Sequence, residues 1–246
     1  MKQRINRADR TAKGFSFLEL MVVVLVMSIM TAAIFSQITL VQQRARTEQA
    51  KLDIFQQSRE FMDQLVRDLH LTGYPNIRMF DTSGWAPALN AVPMNDTRLA
   101  AGLTKVAPDE IIFEGDVNGS GLVSVLDYKL QAAGNNCPCL QRSQVLKSVG
   151  GTNFSTEVQN IQSAGTVADP IFVAYLSDGT VVSSADTTTA GGQVNLASIK
   201  TIKIILRVRA NTLDLQTAQA PEASLNAVVT LGNCSLVANG QYMSCR

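Results

Sequence analysis

Histidine is nearly missing from this chain: His70 is the only one among 246 residues. Ser-His or Cys-His nucleophilic machinery is hard to assemble around a single imidazole at the end of a helical stretch. No G-x-S-x-G elbow and no phosphate-cradling loop of the Walker type occurs either. The expected class is therefore not an enzyme. A basic surplus is also lacking, because the net charge is only +1. Contact with a phosphate backbone draws on an excess of Lys and Arg, so nucleic acid is an unlikely partner on charge alone. Charged residues make up 17% and hydrophobic residues 46%, a mixture that buries a core rather than staying disordered. The length suffices for one domain of ordinary size and something more.

The scarcity of charge is uneven. Residues 1–14 hold Lys2, Arg4, Arg7, Arg10 and Lys13 against Asp9, a net of +4, so without them the chain falls from +1 to −3. Between Glu19 and Arg44 there is no charge at all, and Leu20–Gln43 spans 24 residues. As a helix this segment measures about 36 Å, enough for a hydrocarbon core of about 30 Å. The basic cluster precedes it, which keeps residues 1–14 cytoplasmic and sends the C-terminal part outward. A cleavable secretory signal has a shorter apolar run followed by a small-residue cleavage site, and no A-x-A pattern follows here. A plain membrane anchor fits the length but leaves Glu19 unexplained. A carboxylate in lipid costs about 2.5–3.5 kcal/mol and normally has a partner.

Lys13-Gly14-Phe15-Ser16-Phe17-Leu18-Glu19 resembles the prepilin signature of type IV pilin-like proteins: a basic leader ending in Gly, an aromatic residue next, and Glu fifth after the cut. The resemblance implies cleavage between Gly14 and Phe15 by a membrane-embedded peptidase, with N-methylation of Phe15. It further implies assembly of the helix into a filament alongside other pilins, through an inner-membrane platform driven by a separate ATPase, with the bilayer as the helix's surroundings beforehand. Glu19 lies one helical turn from the new amine of Phe15, close enough to pair with it or with that of a neighbour. Such a pair would set the axial register between packed helices, as one buried polar contact does in a coiled coil. Several major pilins have helix-breaking Pro and Gly in this segment; those positions here are Ser36 and Ser28.

Beyond the apolar run, residues 44–71 contain no Gly or Pro, and Leu52, Phe55, Met62, Leu65, Val66 and Leu69 form a helical stripe expected to pack on a core. Arg59, Glu60, Asp63, Arg67 and Asp68 are expected on the surface, His70 caps the helix end, and Gly73 and Pro75 stop it. A helix over Phe15–Leu71 would have 57 residues. From residue 72 onward the chain reads as a β-rich domain to residue 246. Strands are expected at Glu110–Phe113, Leu122–Leu130, Ile171–Leu176, Thr180–Ser183, Ile199–Arg209 and Leu225–Leu231, with a hairpin turn at Asp178-Gly179. Residues 76–109 and 132–168 read as loop-rich. The expected fold class is α+β, a long helix on an antiparallel sheet, and the pilin resemblance implies the same. Arg67-Asp68-Leu69-His70-Leu71-Thr72-Gly73-Tyr74-Pro75, Ile111-Ile112-Phe113 and Val125-Leu126-Asp127-Tyr128 are similar to PilW-like minor pilins. That match implies a low-copy subunit that starts or caps a filament. A type II secretion pseudopilin shares the same N-terminus, and a tip adhesin is a third possibility.

Four cysteines and an export-like N-terminus favour disulfides in an oxidising compartment. Cys234–Cys245 would close a short C-terminal loop, leaving Cys137 and Cys139 to bond locally or with a partner. Zinc fits poorly, because a C-x-C with a distant pair lacks the usual spacing. No cofactor is expected except, as one alternative, calcium. Asp116, Asn118, Ser120, Ser124 and Asp127 place oxygens at positions 1, 3, 5, 9 and 12 of an EF-hand order, with Gly121 at 6. A Gly/Asn-rich hairpin turn explains the same letters. The expected location is the bacterial inner membrane, with the C-terminal domain in the periplasm, and later the pilus at the cell surface.

Overall fold

A computed structural model describes residues 16–76, 95–134, 137–211, 213–214, 218–232, 235–236 and 243–244. The chain forms two compact units, residues 1–46 and 47–246. Helix α1 runs Phe17–His70. The absence of Gly and Pro over this span lets the hydrogen-bond ladder continue without a break. Glu19 lies in its first turn and Arg67 in its last, each charge matching the nearby end of the helix dipole.

In the second unit, α1 is buried along Ser58, Phe61, Met62, Leu65, Asp68 and Leu69. The expected stripe is therefore right from Met62 onward but not before it. Leu52 and Phe55 remain 55% and 43% exposed, because in this turn of the helix it is Ile54 that packs against the core. Asp68, expected on the surface, is buried.

Among the described residues three sheets follow, and every strand pair is antiparallel. The first contains β1 (Leu103–Val106), β2 (Glu110–Gly115), β3 (Ser124–Gln131), β4 (Cys139–Leu146), β5 (Phe154–Gln159) and β8 (Ala185–Asp186) in the order β5-β4-β3-β2-β1-β8. The second is β10-β9-β6-β7, from Glu222–Thr230, Ile199–Arg209, Phe172–Leu176 and Val181–Val182. The third pairs β11 (Ser235–Leu236) with β12 (Met243–Ser244). A short helix, α2 (Ala190–Ser198), begins at Thr189, whose side chain accepts a hydrogen bond from the Gly192 amide. One core joins α1, the two larger sheets and Leu196 of α2. On β9, Ile202, Ile204, Leu206 and Val208 enter that core while the alternate residues stay outside.

The six expected strands all exist, with ends shifted by a few residues. The two segments read as loop-rich are a correction, since β1 lies within 76–109 and β4 and β5 within 132–168. The reason is visible in β4. Its core-facing positions, opposite Leu126, Tyr128 and Leu130, are Gln144, Arg142 and Leu140. A strand that sends arginine and glutamine toward the helix carries no apolar alternation to read.

Candidate functional site

The first unit supplies the most distinctive surface. From Phe17 to Gln43 every described side chain of α1 is exposed. An 18-residue window of the helix reaches a mean hydropathy of 2.5, enough by length and composition to cross a membrane. Burying each large aliphatic side chain is worth about 1.5–3 kcal/mol, so a bare helix of this kind calls for lipid or other helices around it. Its few hydroxyls are turned inward on its own backbone. Ser28 Oγ donates to the Leu25 carbonyl at 2.7 Å, Thr31 Oγ1 to Met27 at 2.7 Å and Ser36 Oγ to Ala33 at 2.8 Å. Serine at 28 and 36 therefore leaves the helix intact. Glu19 is exposed in the first turn. Gly14 and Phe15, the cleavage and methylation positions, lie outside the described residues.

In the second unit the end of α1 is locked to the first sheet by groups that sequence reasoning missed. Tyr128 Oη donates to Asp68 Oδ2 at 2.5 Å. Arg142 reaches the same oxygen through Nη2 at 2.9 Å and donates to Tyr128 Oη through Nε at 2.8 Å. Gln144 Oε1 accepts a further Arg142 bond at 2.7 Å. Rings of Phe61 and Phe113 flank the tyrosine at 5.8 and 6.0 Å. Burial, then the Asp68 charge, raises the Tyr128 hydroxyl above its ordinary range, so it stays a donor at any physiological pH. Asp68 was detectable in principle, because it falls in line with Phe61, Leu65 and Leu69 on one helical face.

Just past the helix, Gly73 N–H donates to the Glu114 carbonyl at 2.9 Å and Asp116 N–H to the Tyr74 carbonyl at 2.8 Å. Glycine at 115 is what allows this approach: a Cβ there would sit 2.5 Å from the Leu71 carbonyl oxygen. Beside it, the Glu114 carboxylate accepts from the Ala101 amide and from Lys147 Nζ, both at 2.7 Å.

The expected calcium ligands divide into two places. Asp116, Asn118 and Ser120 share the turn between β2 and β3. The two carboxylate oxygens of Asp116 accept the amides of Ser120 at 3.0 Å and Gly121 at 2.8 Å, and Asn118 Oδ1 accepts Ser120 N–H at 3.1 Å. Gly119 and Gly121 take positive φ in this turn, as the turn reading requires. Asp127 is elsewhere, three residues past Ser124 on β3, about 10 Å along the strand. Among the described residues no group of three His, Cys, Asp or Glu is placed to share a metal ion.

Asp127 instead occupies the opposite face of the sheet from Tyr128, 5% exposed, with Oδ1 buried and without a hydrogen-bond partner. Burial first, and the nearby Glu110 charge second, push its carboxyl up to about 6, against the opposing pull of Lys129 and Lys105. Both lysines attend to Glu110 instead: Lys105 pairs with it, and Lys129 Nζ lies 3.9 Å away.

Cys137 and Cys139 form a disulfide with each other, the local pairing. Cys234 and Cys245 lie outside the described residues. His70 is the last residue of α1.

No curated protein and no solved structure matches this chain. A family profile does match its N-terminus: residues 9–35 carry the prokaryotic N-terminal methylation motif. That stretch contains Gly14, Phe15, Glu19 and the start of the apolar helix, so the N-terminal segment carries a motif of the type IV pilin-like kind, common to pilins and pseudopilins.

Proposed function

We propose that this chain is a minor pilin of a type IV pilus, of the PilW-like sort. Residues 1–14 are a leader removed after Gly14, and Phe15 becomes the N-methylated first residue. Residues 15–71 form the shared helix, with its membrane segment at about 20–43, and residues 72–246 form the exposed domain. Before assembly the helix sits in the inner membrane with the domain in the periplasm. It then leaves the lipid through the assembly platform and packs among the helices of other pilins, reaching the cell surface with the fibre. The observation that carries this reading is Glu19, the carboxylate four residues after Phe15 in the sequence, at the head of an apolar helical segment, residues 17–43, that is exposed throughout.

Replacing Gly14 with alanine tests it directly. The expected result is accumulation of full-length precursor in cells that contain the peptidase. Mature-sized protein from Gly14→Ala would overturn the reading. The pseudopilin alternative is separated by deleting the gene. Loss of surface pili supports the pilus, and loss of secreted enzymes with intact pili supports the secretion system. Persisting pili with lost attachment would point to a tip adhesin.

A further inference from the structure

Asn118 and Gly119 stand side by side in the turn between β2 and β3, and both are exposed, as are Ser120, Gly121 and Leu122 after them. An asparagine side chain is open to attack by the peptide nitrogen of the residue that follows it, which closes a succinimide ring. The usual obstacle is the side chain of that following residue, which crowds the approach. Gly119 has none, and the place its Cβ would take is open space, with no atom within 4 Å. The chain's other Asn-Gly pair, Asn239-Gly240, lies outside the described residues.

The turn also prepares the electrophile. Asn118 Oδ1 accepts the Ser120 N–H at 3.1 Å, a donor it shares with Asp116 Oδ1 at 3.0 Å. The bond to Asn118 closes a small ring of atoms that contains both the side-chain carbonyl carbon and the Gly119 nitrogen, so the two reacting atoms are held within one turn. It also aims a donor at the oxygen that gains negative charge when the nitrogen adds to the carbonyl. Exposed asparagines elsewhere lack these parts. Asn153 precedes the bulky Phe154, and Asn226 lies before Ala227 in the extended pairing of β10.

We propose that Asn118 is a site of self-modification, which the chain converts to aspartate and isoaspartate without an enzyme or cofactor. The Gly119 nitrogen gives up its proton to solvent and bonds to Asn118 Cγ. The bond from Cγ to Nδ2 breaks, and Nδ2 leaves as ammonia after taking a proton from water. A water molecule then opens the succinimide at either carbonyl. One opening gives aspartate; the other routes the main chain through Cγ and gives isoaspartate. The sum consumes one water, releases one ammonium ion and leaves one carboxylate, with nothing oxidised or reduced. Because Asp116 and Asn118 share the Ser120 amide, an aspartate at 118 sets two carboxylates on one donor, and this exposed turn gains a negative charge.

The test ages the full chain in detergent micelles at pH 7.5 and reads it by digestion and mass spectrometry. Trypsin releases residues 106–129, in which Asn118 is the only Asn or Gln, so the mass gain of amide-to-acid conversion is assigned without ambiguity. Conversion at Asn118 should exceed that at Asn153 by at least about tenfold, and Gly119→Ala should slow it by a similar factor. It should also slow at pH 5, where the attacking nitrogen keeps its proton. Isoaspartate, detected with an isoaspartyl methyltransferase, should be among the products. The free 106–129 peptide, aged in parallel, keeps the test independent of any variant's folding, and the folded chain should convert within about tenfold of its rate.

A folded chain that keeps Asn118 while the free peptide converts would mean that the turn holds the reacting atoms apart, and would overturn the proposal. Aspartate without isoaspartate would do the same, because direct hydrolysis passes through no ring. So would an unchanged rate in Gly119→Ala.

Discussion

Replacing Asp127 with asparagine should make the folded domain more stable at neutral pH, although it removes a charge from beside two lysines. The carboxyl ordinarily titrates at 3.8 and is raised to about 6 in the folded chain. The folded state therefore holds this proton more tightly than the unfolded one. The contribution of Asp127 to stability is complete below about pH 4, is lost as pH rises toward 6, and stays lost above it. Two units correspond to about 3 kcal/mol at 1.36 kcal/mol each. Solvent reaching the second carboxylate oxygen, and the flanking lysines, reduce the expected gain to about 1–2 kcal/mol. Asparagine keeps the shape without the charge, and its amide can reach partners that a lone carboxylate oxygen lacks.

The assay is urea unfolding of the full chain in detergent at pH 4.5 and pH 7.5, comparing the chain with Asp127→Asn. The variant should gain stability at pH 7.5 and about a third as much at pH 4.5, where the unfolded carboxyl is already largely ionised. For a domain of this size that gain corresponds to about 2–8 °C in melting temperature. A loss of stability at pH 7.5 would refute the reasoning, since it would mean that ionised Asp127 has a partner. An equal effect at both pH values would refute it too, because the effect would then not come from the proton.

Arg142→Met should destabilise the domain by about 3–5 kcal/mol, because Asp68 is left as a buried charge with only Tyr128 donating to it; denaturant unfolding reads this. Asp68→Asn combined with Arg142→Met should recover part of that loss, and no recovery would show that the pair is not coupled. Gly115→Ala should cost about 1–3 kcal/mol, since the added methyl meets the Leu71 carbonyl and forces the helix end away from β2. Millimolar calcium should leave the melting temperature of the full chain unchanged, because the Asp116 carboxylate is already engaged by two amides of its own turn. A rise of several degrees would restore the EF-hand alternative.

The parts of the fold that could be read from sequence are those where a single solvent dictates composition. An uninterrupted apolar run leaves little but a helix to form, so the exposed first half of α1, Leu20–Gln43, is legible from its missing charges. β9 is legible because one face meets the core and the other water. Legibility fails where polar residues pack on polar residues. Asp68 looks like surface on the helix and Arg142 like loop on the strand, and only their meeting explains either. α2 is hidden for another reason. Its sequence, AGGQVNLAS, has two glycines and an asparagine, poor helix formers held in place by the Thr189 cap and the burial of Leu196. The two faces of β3 were equally opaque: an EF-hand order joins Asp116 to Asp127 by counting, while the strand carries Asp127 away from the turn.

The hydroxyls that fold back along the first unit have a consequence for how such helices tell one another apart. From Leu20 to Ser36, each serine and threonine spends its proton on the turn beneath it. Over that length the helix offers its neighbours only shape and grease, which slide past each other with little preference for any one height. On the filament reading proposed above, axial position falls to the tip, where Glu19 is the charge at the head of the helix.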